Sequence, residues 1–157
     1  MRLELLCLSK RDESWIEDGV AEYAKRIKRY MSFETKLIRP PKQPRDASVS
    51  EFMKRECETL ASAIEPRSHV VLLDKRGRAL SSEDFAAFLK KLQLRSHRHV
   101  QFVIGGAYGF TADFMQTAND TISLSPMTFP HQLARLIFAE QLYRAFTILR
   151  GERYHHP

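Results

Sequence analysis

Hydrophobic and polar positions alternate in blocks along this chain. Five apolar runs have the length of β-strands, and they lie at Leu3 to Leu8, Phe33 to Ile38, Val70 to Leu73, Val100 to Ile104 and Thr121 to Leu124. The run from Leu3 to Leu8 is almost uninterrupted by polar residues, which is typical of a strand that is covered on both faces.

The stretches between these runs repeat apolar residues at helical spacing. Ser14 with Glu17 forms a capping-box signature, which predicts a first helix from Ser14 to about residue 28. Ser48 with Glu51 repeats the signature for a second helix that ends before Pro66. Ser82 is predicted to cap a third helix, and further helices are predicted to open at Thr111 and at about Pro130.

Strands that alternate with helices predict an α/β fold with a mainly parallel sheet of five to six strands and helices on both faces. The 157 residues suit a single domain. The stretch from Pro40 to Asp46 is predicted to be a loop, because two adjacent prolines end the second strand.

Cys7 and Cys57 lack metal-type spacing and are expected to be buried thiols. The apolar runs are too short for a membrane span, and the first residues lack the apolar core of a signal peptide, so we expect a cytoplasmic protein.

The charge of the chain favours anionic partners. The sequence has 25 Lys and Arg against 19 Asp and Glu, for a net charge of +6 and a pI near 9.5, which makes nucleic acid the first candidate. Solvated helix faces explain any one basic group, whereas together the groups could contact phosphates. The basic groups are Lys10-Arg11, Lys25-Arg26, Lys28-Arg29, Lys54-Arg55, Lys75-Arg76-Gly77-Arg78 and Arg95 to His99. His97 and His99 are too isolated to indicate a metal site, and no metal is expected.

Two loops of small residues follow the last two strands. One runs from Gly105 to Gly109 and the other from Ser123 to Phe129. In open α/β sheets the ligand lies at the carboxyl ends of the strands, where Leu73, Gly105 and Leu124 fall, so the loops predict one shared pocket. A tight turn would also explain the glycines, and Thr128 could instead cap the last helix.

Four motifs together resemble the SPOUT family of methyltransferases. They are F-V-I-G-G-x-x-G from Phe102, S-L-S-x-M-T-F-P-H-Q from Ser123, E-Q-L-Y-R-A from Glu140 and G-E-x-Y-H from Gly151, and the likeness extends over the whole chain. The resemblance implies a deep trefoil knot from about Gly105 to the last helix, a homodimer, and S-adenosylmethionine as cofactor. It further implies methylation of N3 of pseudouridine 1915, in helix 69 of 23S ribosomal RNA, on assembled ribosomes.

The resemblance also implies which residues form the site. The cofactor contacts carried over by position are Leu73, Gly105, Leu124, Ser125, Pro126, Met127, Thr128 and Phe129. Methyl transfer from a sulfonium is an in-line displacement, and the acceptor nitrogen must lose a proton, so a base or a cation that stabilises the resulting anion would accelerate it. Candidates for these roles are His131, Glu140, Arg144, Tyr154 and His155.

Each candidate has a structural alternative. Glu140 and Arg144 have the spacing of an intrahelical salt bridge, and Arg144 could also hold a target phosphate. His131 could be an ordinary first-turn residue, and the terminal tail with Tyr154 and His155 could be disordered rather than complete a partner's pocket. Tyr143 and Phe146, not among the candidates, fit core or dimer packing. The functional alternatives are a SPOUT methyltransferase for another RNA, a non-catalytic RNA-binding dimer and a nucleotide-binding α/β protein.

Overall fold

Strands and helices alternate along the whole chain. The computed structural model describes residues 1–9, 13–43 and 46–156. Over these residues the elements are β1 (Arg2–Leu8), α1 (Ser14–Ile27), β2 (Ser32–Ile38), α2 (Val49–Ala63), β3 (His69–Ala79), α3 (Ser82–Leu94), β4 (His99–Ile104), α4 (Ala112–Gln116), β5 (Asp120–Ser123) and α5 (His131–Arg150).

The five strands form one sheet in the order β2-β1-β4-β3-β5, and every neighbouring pair is parallel. Apolar clusters cover both faces. One cluster joins α1, α3 and α5 to the sheet, and the other joins α2 and α4. The predicted parallel sheet with helices on both faces is therefore confirmed, with five strands over the residues that the structure describes.

The strand β3 is longer than its apolar run. The sequence predicts that it ends at Leu73 and turns through residues 74–77, but pairing with β5 resumes at Arg78 opposite Ile122. Residues 74–77 therefore form a bulge, and the prediction of a closing turn is wrong. A Cβ atom on Gly77 would lie 2.7 Å from the backbone N and C atoms of Ile122, so this position of the bulge admits only glycine.

Two helix starts are predicted correctly from capping residues. The Ser48 hydroxyl accepts the N–H of Glu51, and the Glu51 carboxylate accepts the N–H of Ser48, which completes the capping box of α2. The Thr111 hydroxyl accepts the N–H of Phe114 and caps α4.

Two predicted caps are displaced by one residue. Ser14 is the first helical residue of α1 and Glu13 is its cap, because the Glu13 carbonyl accepts the N–H of Ile16. Ser81 caps α3 through the N–H of Asp84. The last helix starts at His131 after Pro130 and has no side-chain cap, so Thr128 does not cap it.

The predictions about the cysteines, the 40–46 loop and membrane spans can also be compared with the structure. Cys7 and Cys57 are both buried thiols outside any disulfide, as predicted. The part of the predicted 40–46 loop that is described has no helix or strand, while Pro44 and Arg45 lie outside the described residues, as do Lys10 and Arg11. No helix within the described ranges has both the length and the apolar character that a membrane crossing requires.

Candidate active site

A cavity of about 340 Å³ opens at the carboxyl edge of the sheet. This volume is within the range of small-molecule sites. Its walls come from the β3 bulge, from the loops after β4 and β5, and from the first turns of α5. The lining residues are Leu73, Asp74, Lys75, Arg76, Ile104, Gly105, Gly106, Ala107, Tyr108, Gly109, Phe110, Leu124, Ser125, Met127, Thr128, Phe129, His131 and Ala134.

The cavity brings together the residues that the sequence predicts as cofactor contacts. Seven of them line it, namely Leu73, Gly105, Leu124, Ser125, Met127, Thr128 and Phe129. Pro126 belongs to the same loop but is not part of the lining. The predicted pocket between the two small-residue loops is therefore present, and the binding role of each residue stays a prediction.

The loop after β4 is shaped by its glycines. A Cβ on Gly105 would lie 2.9 Å from the ring of Phe110. Gly109 has φ +78°, and its N–H donates to the carbonyl of Gly106. The glycines thus make a tight turn, and this same turn forms one wall of the cavity.

An ion pair on the β3 bulge holds this turn in place. The guanidinium of Arg76 donates from Nε and Nη2 to the two carboxylate oxygens of Asp74, at 2.8 and 2.9 Å. Its Nη2 also donates to the carbonyl of Phe110 at 3.0 Å. Hydrogen bonds from Arg76 lower the pKa of Asp74, so the carboxylate is ionised. Sequence reasoning assigned Arg76 only to a basic group, although an acid and an arginine two residues apart after a strand are a detectable signal.

The loop after β5 is ordered by its serines. The Ser123 hydroxyl donates to the carbonyl of Ser125, and the Ser125 hydroxyl accepts the N–H of Met127. The Met127 side chain is 72% exposed at the mouth of the cavity. An apolar side chain so exposed is free to pack on a ligand that enters.

His131 is the one predicted catalytic candidate that lines the cavity. It is the first residue of α5 and is half-buried. Burial lowers the pKa of its imidazole, so the side chain is neutral near pH 7 and can accept a proton.

The other four candidates form a separate cluster. Arg144 donates to the Glu140 carboxylate at 2.6 Å, and the Tyr154 hydroxyl donates to the same oxygen at 3.1 Å. The Arg144 guanidinium lies over the Tyr154 ring, 4.9 Å from its centre, and lies 3.3 Å from Nδ1 of His155. The intrahelical salt bridge expected as the alternative for Glu140 and Arg144 is therefore present, within a larger network.

This network fixes the terminal tail against the helices. The Tyr154 hydroxyl is 3.4 Å from that of Tyr23 on α1, and Nε2 of His155 is 2.7 Å from the Glu83 carboxylate on α3. Burial, with the neighbouring Tyr23 and Glu140, raises the pKa of Tyr154, which stays a phenol. Tyr154 and His155 are packed against the helices, so the alternative of a disordered tail is not supported.

Tyr143 and Phe146 have the packing role that was expected. Tyr143 contacts the rings of Tyr23, Tyr30 and Tyr154, and buried Phe146 stacks on Tyr30. These rings join α1, α5 and the tail.

None of the four clustered candidates lines the cavity. Glu140 follows His131 by nine positions on α5, which corresponds to roughly 14 Å along the helix axis. The structure therefore places one candidate at the cavity and four candidates at a distance from it.

The predicted pair of isolated histidines lies at the opposite, amino edge of the sheet. The His97 ring contacts that of His69 at 4.4 Å between centres. His99 is near the carboxylates of Glu4 and Glu65, and these three are the metal-compatible group among the described residues. Arg2 already donates to Glu65 at 2.6 Å, so an internal cation balances part of this charge.

Comparisons with known proteins agree over the full chain. The sequence profile of the family described as "Predicted SPOUT methyltransferase" matches residues 1–155. The chain is 46% identical to "Ribosomal RNA large subunit methyltransferase H" of Geobacter sp. (strain M21), with 99% of each chain covered. It is 40% identical to the protein of the same name from Christiangramia forsetii, again with 99% of each covered.

Solved structures with low sequence identity have a similar fold. The tRNA (m1G37) methyltransferase from Aquifex aeolicus matches 92% of this chain and 70% of its own length, with a TM-score of 0.55 and 13% identity. A probable methylase family protein from Haemophilus influenzae matches 99% of this chain and 70% of its own, with a TM-score of 0.52 and 11% identity.

Proposed function

The chain belongs to the SPOUT methyltransferase family, and we propose that it methylates large-subunit ribosomal RNA with S-adenosylmethionine as donor. The observation that carries this proposal is the cavity formed by the β3 bulge and the loops after β4 and β5. We propose the N3 atom of the pseudouridine in helix 69 as the acceptor, and the assembled ribosome as the substrate.

The walls of the cavity fit such a donor. Apolar contacts are available from Leu73, Ile104 and Leu124, while backbone N–H and C=O groups of the two loops can bond to polar edges of a ligand. When bound, S-adenosylmethionine would supply an electrophilic methyl group on a positively charged sulfur. The loops hold the donor, and alignment with the acceptor is the main contribution that the protein has to make.

The second contribution is removal of a proton from the acceptor nitrogen. The imidazole of His131 lines the cavity and is neutral, which is the state in which it can accept a proton as a general base. The Arg144 guanidinium would stabilise an anionic acceptor, and Tyr154, as a phenol, would donate a hydrogen bond. Glu140 orients Arg144 and Tyr154, since its carboxylate accepts a hydrogen bond from each of them.

A homodimer would bring these groups together. Because the cluster of Glu140, Arg144, Tyr154 and His155 does not line the cavity of its own subunit, a partner subunit has to present it there. A two-fold dimer does this twice, since each subunit gives its cluster to the other. The positive net charge of each subunit would support binding of the RNA backbone, with Lys75 at the cavity itself.

The trefoil knot is part of the same proposal. The bulge of β3 lies against the backbone of β5 so closely that Gly77 has no room for a side chain. β3 also pairs with β5 on both sides of this bulge. Both observations support a knot in which the segment from about Gly105 to the last helix passes through the loop around residues 74–79.

Labelled S-adenosylmethionine tests the activity. Purified protein is incubated with assembled ribosomes, with naked 23S ribosomal RNA, and with ribosomes from cells that lack the protein. We expect label in the ribosomes from the deficient cells and little in naked RNA. Label in another RNA would favour a different SPOUT target, and label in no RNA would favour a non-catalytic RNA-binding dimer.

A further inference from the structure

A buried carboxyl group lies directly behind the glycine turn of the cavity. Glu56 is in the middle of α2 and is 4% exposed. Its carboxyl group occupies the space next to Gly106 where a Cβ would stand. Its Oε2 atom is fully buried and has no hydrogen-bond partner among the residues that the structure describes. No other part of the proposed mechanism uses this group.

The contact explains the residue type at position 106. Any side chain on Gly106 would collide with the Glu56 carboxyl, so the glycine and the acid fit as a pair. The next residue of α2 holds the end of the same loop, since the Cys57 sulfur accepts the N–H of Thr111 at 3.4 Å. The loop is thus attached to α2 at two points.

Burial favours the protonated form of Glu56. Moving an ionised carboxylate into an apolar environment is costly unless a cation pairs with it. The titratable groups at the loop are Cys57 on α2, Tyr108 in the loop itself, Lys75 and the Asp74–Arg76 pair on the β3 bulge, and His131 at the start of α5. None of them shifts Glu56, whose pKa is raised by burial alone.

We propose that Glu56 is a positioning residue that holds the Gly105–Gly109 loop in the shape that binds the methyl donor. The inference rests on the proposed function, because it assumes that the cavity takes S-adenosylmethionine. Glu56 acts through Gly106, which lines the cavity, whereas Glu56 itself does not. Ionisation of Glu56 would push its carboxylate toward solvent and displace the loop, so donor binding weakens as pH rises.

Titration calorimetry with S-adenosylmethionine tests this from about pH 5 to about pH 8, a range that begins just above the usual pKa of a glutamate, because burial raises the pKa of Glu56. For the wild type we expect a several-fold rise in Kd across the range. Glu56→Gln keeps the shape and cannot ionise, so its Kd should stay near the low-pH value of the wild type throughout. Glu58→Gln, an exposed neighbour on α2, is the matched control and should follow the wild type.

A shortened side chain supplies the second readout. Glu56→Ala leaves the loop unsupported, so we expect about a tenfold higher KM for the donor with kcat within about twofold, which is the pattern of lost binding rather than lost chemistry. Should this variant fail to fold, the pH profile of Glu56→Gln decides alone. A Glu56→Gln profile with the wild-type slope, or tighter wild-type binding at high pH, would overturn the inference. Absence of donor binding by the wild type would instead refute the proposed function on which it rests.

Discussion

The guanidinium of Arg76 makes three hydrogen bonds that join two walls of the cavity, two to the Asp74 carboxylate and one to the carbonyl of Phe110. Asp74 has a side chain that is only 6% exposed, so its charge depends on this partner. Arg76 therefore joins the glycine turn after β4 to the β3 bulge.

Replacement of Arg76 by methionine should weaken binding of S-adenosylmethionine about tenfold, equal to ~1.4 kcal/mol. The variant also leaves a buried carboxylate without its partner, so the free energy of unfolding should fall by about 1–3 kcal/mol. Calorimetry and urea denaturation measure the two effects. Arg78→Met, at the exposed position where pairing with β5 resumes, is the control, and equal losses in both variants would contradict the assigned role.

His131 gives the stability of the fold a dependence on pH. Its folded-state pKa lies below the unfolded value of about 6.5, because burial disfavours the charged ring. The stabilisation that the neutral His131 ring contributes is therefore complete above the unfolded pKa of about 6.5. It is lost as the pH falls through the lower, folded-state pKa. His131→Asn should make the free energy of unfolding fall less between about pH 7.5 and about pH 5. His156→Asn, an exposed control, should keep the wild-type slope, and a wild-type slope in His131→Asn would exclude this linkage.

At the scale of elements, the terminal tail and α5 act as one unit. Tyr154 and His155 are bound to Glu140 and Arg144, so the tail extends the helix surface that we propose to face a partner's cavity. The cavity itself is built without the tail.

Deletion of residues 153–157 should abolish methyl transfer and leave the Kd for S-adenosylmethionine within a few-fold of the wild type, because the donor contacts are separate from the tail. Transfer is measured with labelled donor on ribosomes, and Kd by calorimetry. A shorter deletion of His156 and Pro157, of which Pro157 lies outside the described residues, keeps Tyr154 and His155 and serves as control. Unchanged turnover in the longer deletion would refute a role for the tail.

The order of the elements could be predicted from the sequence because each depends on local patterning. The apolar runs predicted the ends of every strand within two residues, except the end of β3. The two loops of small residues predicted the position of the cavity. The caps at Glu13 and Ser81 were missed by one residue, because Ser14 and Ser82 are equally good local candidates. In the fold, Ser82 bonds to Gln141 instead, a contact that only tertiary structure creates.

Contacts between distant segments could not be predicted. The resumed pairing of β3 with Ile122 and the contact of Glu56 with Gly106 each join residues that are far apart in sequence. Glu56 stands in a charged stretch of a helix and has the pattern of a solvent-facing residue. Its burial follows from the position of the glycine turn, which is set by the sheet and not by α2.

At the scale of the whole molecule, the proposed active site needs two chains. Ser125→Trp would fill the cavity of one subunit, and the tail deletion would remove Tyr154 and His155 from the cluster of another. Each variant alone should be inactive. In a mixed dimer, the intact cavity of the tail-deleted chain meets the intact tail of the Ser125→Trp chain, which gives one complete site. Half of the dimers are mixed, and each has one of its two sites complete. Mixing should therefore restore about a quarter of wild-type activity.

Activity of the mixture is measured after dissociation and reassembly of the two variants, with the unmixed proteins treated in the same way. A mixture that stays inactive, while sedimentation confirms that mixed dimers have formed, would mean that cavity and tail of the same chain work together.

The first strand lies inside the sheet, between β2 and β4, and its partner in β4 comes very late in the chain. Arg2 aligns with His99, a separation of 97 positions. Closing so long a loop costs entropy before any pairing is gained, and folds with such distant pairings form slowly. During synthesis the apolar residues of β1 therefore leave the ribosome long before their partners in β4, and the edge of this nascent strand that β4 later covers would need protection from premature association.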